Sequence, residues 1–270
     1  MNDIERKPMN AGMSKIVRCG ATIRNKILTT LPLPDFDPLR AFLQPISLAE
    51  GSVLHESNKR IEYVHFVETG IVSLMTLASG NMLETAMVGC HGAVGASVVL
   101  GARASMHKSV VSMPGKALRI GVEDLQRSMN ERPQIREHLL RYVESLMVHG
   151  SQTALCGVRH ELEQRLACWI CLACDSLEGE TLPITHDYLS FILGLRRAGV
   201  TEALARFAEL GLVRKERGVL RVRDRGSLER KACSCYGIIT AAYSWSKSTI
   251  SASHEMYQPP DAAQRLFVAG

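Results

Sequence analysis

The stretch Leu182–Val222, LPITHDYLSFILGLRRAGVTEALARFAELGLVRKERGVLRV, decides how this chain is read. Thr185 offers the hydroxyl of a helix N-cap, and the segment His186–Leu193 behind it turns Leu189 and Ile192 to one side. Gly194 then supplies the residue type that takes a left-handed turn without strain. A second helix is expected from near Arg196 to Gly211. At about 100° per residue, Val200, Ala203, Leu204 and Phe207 gather on one face, with Ala198, Glu202, Ala205, Arg206 and Glu209 opposite. Ser190, four before the turn glycine, and Val200, six after it, are the small and apolar residues that let two such helices cross closely, the pattern of a helix-turn-helix. Leu212–Arg214 and Val219–Val222, joined through Glu216, Arg217 and Gly218, read as a two-stranded basic wing.

The charge falls in the same place. The 270 residues carry 32 Lys and Arg against 27 Asp and Glu, a formal +5. Residues 181–231 alone hold 11 basic and 6 acidic side chains, so the whole excess sits in this block and the remainder is balanced. Double-stranded DNA is the partner such a module implies. The pattern of an RNA-reading sheet, with its aromatic-rich strands, is absent. By geometry Arg196 and Arg197 suit guanine edges and Glu202 a cytosine amine, with Thr201 beside them. Thr185, Arg206, Arg214, Lys215 and Arg217 are placed for phosphates.

Outward from this module, composition bounds the rest. With 46% hydrophobic and 22% charged residues the chain is globular, and at roughly 150 residues per domain it has room for about two domains, which excludes collagen-like and wholly disordered classes. No apolar run approaches the roughly 20 residues of a membrane helix, and MNDIERKPMN is followed by no secretory h-region, so a cytoplasmic location is expected. The eight cysteines should then be mostly reduced thiols.

Residues 1–24 are aperiodic and read as a flexible arm, followed by a short helix over Asp37–Leu43. From Ile46 to Val122, glycines separate runs rich in Val, Ile and Thr (EYVHFVET, IVSLMTLA, MLETAMVG, KSVVSMP, KALRIGV), the texture of an antiparallel barrel or sandwich. A short helix Glu123–Asn130 is expected to stop at Pro133. A long one follows from Gln134 to Leu155, broken by Gly157, and another runs from His160 to Asp175. In the long helix Ile135, Leu139, Tyr142, Val143, Leu146, Met147 and Gly150 recur at steps of three and four; burial against the chain's own barrel and a dimer seam against a second copy both explain such a stripe, and the dimer seam is the favoured expectation.

This order of parts resembles the Crp/Fnr family of bacterial transcription regulators, over residues 27–240. The stretches EQRLACWICLACD (Glu163–Asp175), LPITHDYLSFILGLRRAGVTEAL (Leu182–Leu204) and CSCYGII (Cys233–Ile239) carry the resemblance. It implies an α+β fold: a cyclic-nucleotide-binding-like antiparallel β-roll (25–133), a long dimerisation helix (134–156), a winged helix-turn-helix (157–240) and a C-terminal tail (241–270). It also implies a sequence-specific regulator that is a homodimer, with promoter DNA and RNA polymerase as partners and the roll as sensor or activation surface. The chain departs from the cyclic-AMP-binding pattern: Ala96 follows Gly95 where that pattern has Glu, and RASMHKSV lacks its Arg-Ser pair, with Arg103, His107 and Lys108 out of register. Cyclic-AMP dependence is therefore not expected, and any effector is unknown. Only Cys19 lies near the N-terminus, where oxygen-sensing members carry several cluster-binding cysteines.

Three further features carry chemistry on paper. Cys168, Cys171 and Cys174 are spaced like ligands but share an apolar helix face, where cysteine packs as a small hydrophobe. Cys233 and Cys235, beyond the wing and near Lys231, have a stronger claim to redox or metal chemistry. His160-Glu161 begins like a zinc-protease helix, but Gln164 stands where the second histidine belongs. No catalytic constellation, metal site or cofactor is expected. The competing reading is a redox or small-molecule sensor whose output is a protein contact.

Overall fold

The computed structural model describes residues 23–244 except Ser79. Most of the expected arm and tail, and Cys19, lie outside these residues. The fold is α+β. Two short helices, α1 (Lys26–Thr30) and α2 (Leu33–Arg40), precede the sheet. Asn25 caps α1 and also donates its side-chain amide to the carbonyls of Val67 and Gly92, both at 2.8 Å, tying the entry of the chain to the roll. The second helix starts ahead of the expected Asp37 because Pro32 and Pro34 occupy its N-cap and first turn, where a missing N–H costs nothing.

The roll contains β1 (Gln44–Leu48), β2 (Val53–His55), β3 (Tyr63–Ala78), β4 (Asn81–Val88), β5 (Ala93–Val94) and β6 (Lys108–Gly121), in the order β1-β6-β3-β4 with β2 on β6 and β5 on β3, all antiparallel. Runs expected as separate strands merge: EYVHFVET and IVSLMTLA lie mostly in one β3, KSVVSMP and KALRIGV in one β6. Glycine lets both bend without ending. Gly70 has φ +85, and a Cβ on Gly115 would stand 2.0 Å from the Thr69 carbonyl oxygen. The β3–β6 register shifts three times between Val67 and Val72, and these irregularities curl the sheet into a roll.

Three helices leave the roll: α3 (Val122–Glu131), α4 (Pro133–Arg159) and α5 (Leu162–Leu177). Pro133 opens α4 as well as closing α3. The long helix runs straight through Gly157 rather than breaking there, since one interior glycine costs only about 1 kcal/mol. The turn comes at His160 and Glu161, both extended, where a reciprocal capping box between Glu161 and Gln164 starts α5.

The face that α4 turns inward corrects the expected seam. Ile135, Leu139, Tyr142 and Val143 are buried in the chain's own core with Ile27, Phe36, Phe66 and Ile120, and the Tyr142 hydroxyl donates to the Ala93 carbonyl at 3.0 Å. Leu146 is half-buried. The outward face instead carries Leu140, Met147, Leu155 and Val158, of which Met147 is 66% and Val158 82% exposed, and Gly150 has open space beside it. A periodic stripe shows that a helix has a buried side without saying which surface buries it.

The remaining elements are β7 (Thr181–Leu182), α6 (His186–Leu193), α7 (Arg197–Glu209), β8 (Val213–Glu216), β9 (Val219–Val222), α8 (Arg225–Lys231) and α9 (Cys235–Ala242). Their core is continuous with the roll: Ile71, Met87 and Met113 pack with α5, whose Cys168, Cys171 and Cys174 are all buried there, and with Leu189, Val200 and Phe207. One carboxyl marks the seam between the two halves. Glu84 of β4, fully buried, accepts from the Trp169 indole N–H at 2.6 Å and from the Ser73 hydroxyl, which also meets Ser112 and, at 3.4 Å, the Tyr188 hydroxyl.

Burial pushes the Glu84 carboxyl up to about 7, and the Ser73 and Trp169 hydrogen bonds hold it from going higher. The folded chain therefore keeps a proton that the unfolded chain releases near 4.5, so this group's contribution to stability falls as pH rises from 4.5 to 7. His65 and His149, pushed down by burial to about 3 and about 4, act in the opposite sense. The difference between the native chain and Glu84→Gln isolates the carboxyl. Urea unfolding across that pH window should show the native chain losing stability relative to the variant, and parallel profiles would contradict the assignment.

Candidate nucleic-acid interface

The helix-turn-helix is built locally as its sequence dictates. The Thr185 hydroxyl accepts from the Tyr188 N–H at 3.2 Å, capping α6. At the other end Gly194 has φ +60, and the Leu195 N–H reaches back to the Ser190 carbonyl at 2.9 Å, closing the last turn. Val200, Ala203, Leu204 and Phe207 are wholly buried, as the helical wheel requires, while Ser190 is half-buried. The wing pairs Val213 with Val222 and Arg214 with Arg221, with Gly218 at φ +72 in its turn. The short β7 adds a third strand.

This arrangement brings most of the expected site residues to one surface. Arg196, Arg197, Thr201 and Glu202 are exposed along α7, and Arg214, Lys215 and Arg217 are exposed on the wing. Between them lies a cleft of about 180 Å³ lined by Thr185, His186, Asp187, Arg197, Lys215 and Gly218 among others. The Arg197 guanidinium pairs with Asp187 at 2.6 Å, and the His186 Nδ1 meets the Thr201 hydroxyl at 3.1 Å. Partial burial, then the charges of Lys215 and Arg197, hold the His186 imidazole below its ordinary pKa. No side chain caps α7, so its first-turn N–H groups face outward beside the two arginines.

Arg206 lies one turn beyond Glu202 on the same side of α7, about 40° away at about 100° per residue, but its guanidinium is held by Glu163 of α5. In the free chain it is a strut between α5 and α7. Arg225 is also structural: it binds Asp175 at 2.8 Å, Glu229 at 2.7 Å, the Cys171 carbonyl and the Tyr236 hydroxyl. Sequence reasoning missed His186, Asp187 and Arg221. Arg221 was legible from strand alternation, because it sits directly across from Arg214.

In the roll, Lys108 and His107 have separate partners, and burial lowers the pKa of the His107 imidazole. Lys108 pairs with Glu56 at 3.3 Å, His107 meets the Thr76 hydroxyl at 3.3 Å, and Arg103 is exposed. Ala96, directly after Gly95, is buried.

Residues 164–231 match the family model described as a Crp-like helix-turn-helix domain. The described residues have the fold seen in Crp/Fnr-family regulators. FixK2 from Bradyrhizobium japonicum superposes with a TM-score of 0.63 at 16% identity, over 71% of this chain and 98% of that one. TTHB099, a CRP-family transcriptional regulator from Thermus thermophilus, gives 0.58 at 18%, over 69% and 96%. TTHA1359, a CRP/FNR-family regulator from the same organism, gives 0.55 at 20%, over 70% and 98%. Among curated protein sequences none matches this chain.

The cap is testable alone. Thr185→Ala should lower the unfolding free energy by about 1 kcal/mol in urea melts, and Thr185→Ser should restore most of it. Equal loss from both substitutions would place the role of Thr185 elsewhere.

Proposed function

We propose that this chain is a sequence-specific DNA-binding transcription regulator acting as a homodimer, with α7 in the major groove and the wing on the adjacent backbone. The observation that carries this reading is the cationic surface formed by the start of α7, the capped start of α6 and the wing, all outside the shared core. Arg196 and Arg197 are the base-reading pair and Glu202 an acceptor for a cytosine amine, with Thr201 beside them. Thr185, Arg214, Lys215 and Arg217 bind phosphates, and Arg206 joins them only by leaving Glu163. The Arg197–Asp187 pair is exposed, and exposed pairs are worth about 0 to 1 kcal/mol, so exchanging Asp187 for a guanine edge costs little.

The dimer seam is assigned to the outer face of α4. Met147 and Gly150 of the expected set remain on it, joined by Leu140, Leu155 and Val158. Apolar side chains this exposed along one helix are what a second copy would cover. The roll lacks the residues that would hold a cyclic phosphate, so binding is read as independent of cyclic AMP. RNA polymerase is the further partner that an activating role would require. Among the described residues no helix is long and apolar enough to cross a membrane.

Electrophoretic mobility shifts on promoter duplexes across a salt series test the module. Affinity should fall steeply with salt as phosphate contacts release counterions. Arg197→Ala should cost about 1 to 3 kcal/mol and relax preference at one base pair, whereas Lys215→Ala should weaken all duplexes alike and shallow the salt slope by about one. Weak, equal binding to every duplex, unchanged by either substitution, would refute the reading.

A further inference from the structure

The DNA-binding surface leaves the cysteines unused, and four sulfur and nitrogen donors among the described residues converge at one point. Cys156 and His160 are one helical turn apart at the end of α4. Cys233 precedes α9 and Cys235 opens it. One ligand atom from each of the four lies within 4.8 Å of all the others. The Cys156 and Cys233 sulfurs are 3.4 Å apart, and the Cys235 sulfur is 3.5 Å from the His160 Nδ1. The three cysteines are buried and His160 is half-buried, so the imidazole edge gives a route in from solvent.

These spacings discriminate between chemistries. Around one tetrahedral zinc with bonds of about 2.3 Å, thiolate sulfurs stand about 3.8 Å apart, close to what is found here. An iron–sulfur cluster places its own inorganic core between the ligands and needs them further apart. Packing alone accounts for Cys171 and Cys174, which lie on the part of α5 facing Arg225. It does not account for three thiols and an imidazole meeting from two remote segments. We propose that Cys156, His160, Cys233 and Cys235 form a tetrahedral binding site for a zinc-class divalent cation, independent of the DNA-binding reading.

Three thiolates and a neutral imidazole around a divalent cation leave one net negative charge. The Cys168 thiol faces Cys156 and Cys233 and serves as an outer donor to the bound sulfurs. On binding, the three thiols release their protons to solvent and His160 coordinates through Nδ1, so affinity rises with pH. The site joins the end of α4 to the start of α9 beside the extended His160-Glu161 link, where the chain passes from long helix to winged module. A bound cation would fix the angle at that joint.

The test titrates cobalt(II) into the reduced, metal-free full-length chain. One cobalt per chain should appear with the intense visible bands of a tetrahedral ion and a thiolate charge-transfer band, and one equivalent of zinc should bleach both. Cys235→Ser and His160→Ala should each weaken binding about tenfold or more, and Cys174→Ser should not change it. Circular dichroism separates loss of ligand from loss of fold, and the titration of the unsubstituted chain stands without any variant. The proposal is overturned by a weak octahedral spectrum, by the absence of stoichiometric binding, or by a Cys156–Cys233 disulfide in the isolated protein. Full retention of binding in His160→Ala with loss in Cys168→Ser would overturn the ligand assignment.

Discussion

The burial of Glu84 between the Trp169 indole and the Ser73 hydroxyl is the contact on which the arrangement of this molecule depends. A carboxyl removed from water must be hydrogen-bonded or protonated, and here both partners come from fixed elements, β3 of the roll and α5 of the winged module. Around it, Met87 and Ile71 share one apolar core with Leu189, Val200 and Phe207. Because α5 and the inner side of α6 are consumed by this core, the outer side of α7, the start of α6 and the wing are left facing outward. The surface that could meet DNA is thus set by what the module buries against the roll.

That surface is cationic without being uniformly so. Asp187, Glu202 and Glu216 lie among its arginines, and Arg197 and Arg214 are already paired with Asp187 and Glu216. A face of mixed sign gains less from a featureless polyanion than a solid basic patch would. It favours a duplex that offers both acceptors to its arginines and donors to its carboxylates. Under the proposed function, the interleaved acids would serve discrimination more than affinity.

The legible parts of the chain are those whose causes are local. Thr185, Gly194 and the four apolar positions of α7 specify their conformations within a turn or two, and they are found where the spacing puts them. The long helix is legible as a helix but not in its orientation, because Ile135, Leu139, Tyr142 and Val143 suit a second copy and the roll equally well. The segments KSVVSMP and KALRIGV read as two strands because Pro114 and Gly115 signal a turn, whereas a bend within one strand satisfies both residues. Of the cysteine cluster, Cys233 and Cys235 are legible from their spacing, but the complete donor set is not. A zinc-protease pattern seeks the partner of His160 four residues onward, but that partner, Cys156, lies four residues back, and Cys233 and Cys235 join only through the docking of α9 along α4.

The central claim is that two copies of one module read a duplex through α7. Selection of bound sequences from a pool of random duplexes by the purified full-length chain measures it most directly. The account predicts an enriched inverted repeat whose half-sites are centred about one helical turn, roughly 10 base pairs, apart, with preference at one base pair of each half-site relaxed in the Arg197→Ala protein. Recovery of a pool with no enriched sequence, or of a single unrepeated half-site, would contradict it.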